Sequence, residues 1–290
     1  MRISITGANG FLGKQIAIRL EKEGHHIIAY VRDPSKLPYH ILDARYFDLN
    51  QPNGIALHDT DILIHNAAYL PKSYEDPEEA TKCIMNNGIA TLQLLQAAEK
   101  AGVKKFIYIS SGTVYDPNLY MAKEGDCTYP SMRATYYLTS KLVGDIFTDY
   151  YQSKMNIVII RPSSIYGPNM KPVGLLSRLV NKFKNNEIIE DKDIGNYEID
   201  LVYVDDVAWM VAKAATDKSI GGTLNVGGGE EITTFEVANI LASILNKPKL
   251  DNLPPETNGH AILDITRARR YGYKPRDIVD GLRSYVASLQ

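Results

Sequence analysis

The sequence predicts a doubly wound α/β fold, a mainly parallel sheet with helices on both faces, followed by a smaller C-terminal α/β lobe. Runs rich in Val and Ile alternate with amphipathic stretches through the first two thirds of the chain, the pattern of βαβ units whose strands are buried on both sides. A crowd of Pro and Gly at 162–174 then breaks the pattern and marks the start of the second lobe. With 290 residues, 44% of them hydrophobic, the chain can bury one sizeable core and an attached smaller one.

Strands are expected over 2–6, 26–31, 61–65, 104–110 and 156–161. Helices are expected between them over 10–23, 77–101 and 135–152, on both sheet faces by the right-handed crossover rule. Beyond the break, 175–184 reads as a helix, 201–204 as a strand, 205–215 as a helix with an acidic first turn, and 234–245 as a helix opened by a Thr cap. The expected division is a dinucleotide-binding domain over 1–161 and a mainly substrate-binding lobe over 162–290, with segments near 200–227 returning to the first core. No repeat of fixed period and no low-complexity tract is evident.

Composition narrows the class of function. Lys and Arg total 32 against 34 Asp and Glu, so no electrostatic footprint for nucleic acid or an anionic membrane is present. The two cysteines, Cys83 and Cys127, lack the spacing of a disulfide framework, a metal site or a redox motif, and are expected as buried small hydrophobes. No basic and apolar leader opens the chain and no apolar run reaches membrane-spanning length, which points to a cytoplasmic protein with no metal centre.

Directly after the first strand comes Gly7-Ala8-Asn9-Gly10-Phe11-Leu12-Gly13, with glycines three apart opening a helix. Glycine permits a tight turn and close approach of the backbone to a pyrophosphate, whose charge then meets the free N–H groups of the helix N-terminus. This is the phosphate turn of a Rossmann-type domain. The second strand ends at Val31, and Arg32 follows. A guanidinium there, with Lys36 as a second cation, can neutralise a 2′-phosphate and favours NADP over NAD; the alternative is a solvated Arg32 with Asp33 on the ribose, which suits NAD.

Tyr137 and Lys141 lie four apart in an expected helix, so they share one face. An ammonium beside a phenol favours phenolate, so Tyr137 is expected to have a lowered pKa and to work as general acid or base. The strand end Ser110-Ser111-Gly112-Thr113 lies at the carboxyl edge of the sheet, where open α/β folds bind ligands. Ser111 is the candidate hydroxyl for the reacting oxygen, with Thr113 as a nearby substrate contact. Turn formation is the competing role for these hydroxyls.

With these motifs in this order, the chain resembles the extended short-chain dehydrogenase/reductase superfamily, specifically the NAD-dependent epimerase/dehydratase family. His65-Asn66-Ala67-Ala68, 87–91, Arg161-Pro162-Ser163-Ser164-Ile165-Tyr166-Gly167-Pro168, Tyr203-Val204-Asp205-Asp206-Val207-Ala208 and Asn225-Val226-Gly227 extend the resemblance over nearly the whole chain. The resemblance implies that Asp48 and Leu49 hold the adenine, that Ala67 and Ala68 line the dinucleotide cleft, and that Asn87, Ser110 and Pro162 lie near the cofactor. It also implies that Lys141 bonds the nicotinamide ribose, and that the subunits form a homodimer through the helices over 77–101 and 135–152.

Implied chemistry is hydride transfer at a hydroxyl or keto carbon, commonly of a nucleotide-linked sugar, as a 4-epimerase or 4-ketoreductase. The departures bear on substrate. Gly112 and Thr113 stand where dehydratases of the family carry an acidic pair, which disfavours dehydration. Glu198, Ile199 and Asp200 occupy the place of an arginine that usually pairs with the diphosphate, and 254–263 offers only His260 for a second one. A diphosphate would then rely on Lys171, Arg178 or Lys192, with Ser164 as a further contact, and 175–184 can present Arg178 and Lys182 on one face. The alternatives are an NADPH-dependent carbonyl reductase of a small non-nucleotide substrate and a non-catalytic NAD(P)-sensing protein.

Overall fold

The computed structural model describes residues 1–37, 43–129, 135–252, 254–255 and 262–289. In chain order the regular elements are β1 Arg2–Thr6, α1 Phe11–Lys22, β2 His26–Val31, β3 Asp43–Tyr46, β4 Ile62–His65, α2 Pro77–Cys83, α3 Ala90–Ala101, β5 Lys105–Ile109, β6 Met121–Ala122 and α4 Thr135–Tyr150. They continue with β7 Asn156–Pro162, β8 Ser164–Tyr166, α5 Leu175–Lys184, α6 Asp191–Ile194, β9 Glu198–Ile199, β10 Leu201–Tyr203, α7 Val204–Thr216, β11 Gly222–Val226, β12 Ile232–Thr233, α8 Thr234–Ile244, β13 Ile262–Leu263, α9 Thr266–Arg270 and α10 Ile278–Ala287. The expected strands and helices of the first half agree with these to within a residue or two.

Seven strands form one parallel sheet in the order β11-β7-β5-β4-β1-β2-β3. From β1 the chain winds one way through β2 and β3, then the other way through β4, β5, β7 and β11, so the strand order reverses between β1 and β4. In an open parallel sheet, the crevice at that reversal beyond the strand C-termini is the ligand position. Ile3, Ile5, Leu63, Ile64, Phe106 and Ile107 are fully buried, as expected for strands covered on both faces. Each such side chain stabilises the fold by about 1.5–3 kcal/mol relative to an exposed one.

A second apolar cluster joins α5, α8 and α10 through Leu179, Val180, Val237, Leu241, Leu282 and Tyr285. Three short two-stranded ladders lie outside the large sheet, β8 with β10, β9 with β12 and β6 with β13. Lys105 closes one helix end from inside the core: its Nζ donates to the carbonyls of Ala214 at 2.7 Å, Asp217 at 2.7 Å and Ile220 at 3.2 Å. These include carbonyls left over at the C-terminus of α7, where a cation also complements the helix dipole.

The helix expected over 77–101 is one continuous rod with a defect. α2 and α3 are joined by a π-helical turn at Ile84–Ile89. Such turns insert a residue into the helix and re-aim its side chains. Here the turn buries Asn86 and Asn87 against α4. Among the described residues, no helix is long and apolar enough to cross a membrane, and no group of His, Cys, Asp and Glu could hold a metal ion. The cysteine expectation is half corrected: Cys83 is buried, but Cys127 is exposed, because it follows β6 in an irregular segment outside both cores.

Candidate active site at the carboxyl rim of the sheet

Gly7 follows β1 with φ +68°, a left-handed conformation that favours glycine. A Cβ on Gly7 would lie 2.9 Å from Ala67 Cα, so the turn packs directly against the end of β4. A Cβ on Gly13 would lie 2.2 Å from the Gly7 carbonyl oxygen, so the first turn of α1 folds back onto the loop. Asn66 Nδ2 donates to that same carbonyl at 3.2 Å. Gly10 caps α1 without a side-chain hydrogen bond, and no acidic residue sits in the first turn. The N–H groups around Phe11, Leu12 and Gly13 therefore keep their affinity for an anion, and the exposed Asn9 sits beside them. This cradle fits a dinucleotide pyrophosphate.

The floor of the crevice is a chain of hydroxyls about a buried histidine. Ala67 N–H donates to Thr6 Oγ1 at 3.1 Å, and Thr6 Oγ1 bonds His65 Nδ1 at 2.8 Å. His65 Nε2 bonds Thr91 Oγ1 at 3.1 Å, and the Thr91 hydroxyl donates to the Asn87 carbonyl. Because the Thr91 hydroxyl gives its proton to Asn87, it accepts from His65 Nε2–H; in the neutral ring, Nδ1 then accepts from the Thr6 hydroxyl. Burial and, next, the Lys141 charge push His65 down to about 3, so it stays neutral at any working pH.

Several expected cofactor residues meet this rim. Arg32 is exposed just past β2, and Asp33 caps the 3-10 turn Pro34–Lys36 by accepting from Ser35 N at 3.2 Å. Lys36 ends that turn. Asp48 and Leu49 follow β3; Asp48 Oδ1 accepts from Asn50 N at 2.9 Å, and Leu49 packs on the core. Ala67 is half-buried, Ala68 is exposed, and Pro162 is buried at the end of β7.

Asn87 spends its amide within the protein. Its Oδ1 accepts from Tyr69 N at 2.7 Å, while Nδ2 donates to the Tyr69 carbonyl at 2.9 Å and to Ser140 Oγ at 2.9 Å. Its amide is thus committed to clamping the loop after β4 onto α4. Glu79 clamps the same loop, accepting from Tyr69 Oη at 2.7 Å, Lys72 N at 2.8 Å and Lys82 Nζ at 2.7 Å.

Ser110 is buried at the end of β5. Ser111 caps the following turn Gly112–Val114, accepting from Thr113 N at 3.3 Å, and its Oγ lies 2.7 Å from Thr113 Oγ1. It therefore does form the turn that competed with its catalytic role, while remaining half-buried. This turn packs against α4, which carries Tyr137 and Lys141. Helix α4 sits close on β5 because Gly144 lacks a side chain: a Cβ there would lie 2.2 Å from Tyr108 Oη. That approach sets Lys141 Nζ 4.2 Å from the centroid of the Tyr108 ring, a cation held over an aromatic face.

Electrostatics at Tyr137 run against the sequence expectation. Burial pushes its phenol up to about 12, with Tyr74 and Cys83 adding to the rise. Lys141 is pushed down to about 7 by burial, with Asp145 opposing. Dehydration dominates both groups, and Lys141 is not among the groups that shift Tyr137. Tyr74 and Tyr136, whose ring centroids are 5.7 Å apart, stack beside Tyr137; sequence reasoning missed them.

The expected substrate residues divide. Thr113 adjoins Ser111, as anticipated. Ser164 is exposed on β8. Arg178 instead donates from Nη2 to the Asp193 carbonyl at 2.6 Å, and Lys182 pairs with the Asp193 carboxylate at 2.6 Å. Both cations do lie on one face of α5, but they staple it to α6, whose Asp193 belongs to a capping box. Lys192 pairs with Glu190, and His260 lies outside the described residues. Asp200, in the place of the expected arginine, is buried and accepts from Gly228 N at 2.7 Å and Leu263 N at 3.0 Å.

Comparison with known proteins decides the family, because residues 3–227 match the NAD dependent epimerase/dehydratase family. The chain belongs to that family. As a member of the NAD dependent epimerase/dehydratase family it is an enzyme with a nucleotide-binding Rossmann core. It is 28% identical to a UDP-glucose 4-epimerase of Mycolicibacterium smegmatis over 95% of this chain and 94% of that one. Its fold superposes on the crystal structure of the Thermus thermophilus UDP-glucose 4-epimerase in complex with NAD with a TM-score of 0.82, at 26% identity, covering 99% of this chain and 98% of that chain. The Thermotoga maritima UDP-glucose 4-epimerase with UDP-glucose gives 0.83 at 25% identity, covering 100% and 98%.

Proposed function

We propose that this enzyme is a nucleotide-sugar 4-epimerase acting on a UDP-linked hexose, with Ser111, Tyr137 and Lys141 as its catalytic set. The observation that carries the reading is full-length similarity to UDP-glucose 4-epimerases in a chain whose α4 packs against the Ser111 turn. When bound, the dinucleotide supplies reversible hydride acceptance at the sugar carbon. Tyr137 Oη exchanges the hydroxyl proton of that carbon, Ser111 Oγ holds the same oxygen, and Lys141 holds the ribose and lends its charge to the phenol. The turn at 7–13 holds the pyrophosphate, and Asp48, Leu49 and Ala67 flank the adenine side.

The relatives solved with NAD support NAD as the cofactor. Arg32 at the β2 tip supports NADP instead, and comparing the two affinities by calorimetry separates them. Exposed Met85, Ile146 and Tyr150 on the paired helices support a homodimer, whereas Leu94 and Leu95 face the core; Ile146→Asp should give a monomer by sedimentation. Both cysteines are free thiols, which suits the reducing cytoplasm.

Incubation with NAD and UDP-glucose, followed by chromatography of the sugars, tests the reading. Appearance of UDP-galactose without lasting accumulation of reduced cofactor is expected. The second reading, a reductase of a small carbonyl compound, draws on the commitment of Arg178 and Lys182 to Asp193. Steady consumption of NADPH with such a compound, and no sugar interconversion, would favour it.

A further inference from the structure

Lys141 and Asp145 lie one helical turn apart on α4, and each side chain is almost fully buried. Residues at this spacing share a helix face, so their charges act on each other across a dry interior. The carboxylate is held from the far side: Arg161 Nε donates to Asp145 Oδ2 at 2.9 Å. Arg161 in turn lies over the Tyr115 ring, 4.8 Å from its centroid, and Tyr115 Oη donates to Asn225 Oδ1 at 2.8 Å, which anchors the group to β11. Asp145 Oδ1 is buried with the Ser110 hydroxyl as its neighbour; burial raises the carboxyl, and the Arg161 charge and then Ser110 oppose the rise.

The other groups about Lys141 are neutral. Tyr108 of β5 lies beneath its Nζ, His65 of β4 is uncharged, and Tyr137 on α4 keeps its proton. Arg161 of β7 is a second cation, separated by the carboxylate it grips. Among the described residues Asp145 is the one anion that acts on Lys141. We propose that Asp145, clamped by Arg161 one helical turn from Lys141, is a positioning residue that keeps the Lys141 side chain in its charged form. This rests on Lys141 being the catalytic lysine proposed above.

Burial already brings Lys141 down to about 7, so with the carboxylate gone nothing opposes dehydration and the amine loses its proton at neutral pH. A neutral amine gives no charge to the Tyr137 phenol. The test is carbon NMR of the full chain labelled at the lysine ε carbons, with the Lys141 signal assigned by its loss in Lys141→Met. In Asp145→Asn the Lys141 midpoint should fall by roughly 1–3 pH units, and Asp145→Glu should restore it.

Asp145→Asn leaves a buried guanidinium unpaired and can prevent folding. The double variant Asp145→Leu with Arg161→Met, which replaces the pair by apolar groups of similar volume, is therefore measured alongside and should show a smaller fall in the same direction, because the second cation leaves with the carboxylate. The pH profile of kcat should move in the same direction as the midpoint. An unmoved midpoint in the folded variants overturns the proposal. Because the NMR signal needs no turnover, a shift without epimerase activity would refute the substrate assignment alone, and activity without a shift would refute this role alone.

Discussion

Asn66 Nδ2 donates to the Gly7 carbonyl at 3.2 Å, so the end of β4 fixes the loop that follows β1 at the point where the strand order reverses. The anion cradle and the floor of the crevice are thus one rigid unit.

Replacing Gly13 by alanine should break that unit. The added methyl would lie 2.2 Å from the Gly7 carbonyl oxygen and 2.7 Å from Asn66 Nδ2, and backbone cannot give way cheaply. Overpacking of this kind costs about 1–3 kcal/mol. Calorimetric titration with NAD should show affinity falling together with the melting temperature.

Tyr137→Phe keeps the ring and removes the proton carrier. Turnover is expected to fall by about 10²- to 10⁴-fold while NAD affinity and melting temperature stay close to those of the parent, measured by steady-state kinetics and thermal shift. An equal loss of cofactor binding would place the phenol in the cofactor site and not at the reacting carbon.

Lys105→Met should destabilise the fold without touching the site. It would orphan the carbonyls of Ala214, Asp217 and Ile220, and Lys105 is only 5% exposed. A loss of about 2–3 kcal/mol in urea unfolding is expected.

Glu79 gives the fold an acid sensitivity of known sign. Lys82, then the Lys72 N–H and the Tyr69 hydroxyl, hold its carboxyl down at about 2, below the ordinary 4.5. A depressed folded value means the stabilisation is complete above the unfolded value and is lost as pH falls toward the folded one. Urea unfolding of the parent and of Glu79→Gln, each at about pH 6 and about pH 3, should show the smaller acid loss in the variant.

Much of this architecture was legible in the chain. The strand over 2–6 was legible to the residue from Ile3 and Ile5 alternating with polar neighbours, and that over 26–31 from a continuous apolar run. β3 escaped because its four residues include Asp43 and Arg45 and none is fully buried, as suits an edge strand. α10 also escaped, although Ile278, Leu282 and Tyr285 recur at helical spacing. The Tyr137 and Lys141 pair and the glycine turn were legible because chemistry there depends on local spacing. The height of the Tyr137 pKa was not, since the burial that dominates it and the smaller effects of Tyr74 and Cys83 depend on tertiary packing, and neither was the diversion of Arg178 to Asp193. Asp145 was readable one turn after Lys141, but its clamp, Arg161, comes from a distant strand.

The central claim is that Tyr137 and Ser111 face a nicotinamide ring at the carboxyl rim, between the β1 turn and α4. A crystal structure of the chain grown with NAD measures this directly. The account predicts the pyrophosphate on the N–H groups of 10–13 and the nicotinamide within contact of the Tyr137 hydroxyl. A dinucleotide bound elsewhere, or a Tyr137 hydroxyl turned away from the ring, would contradict it.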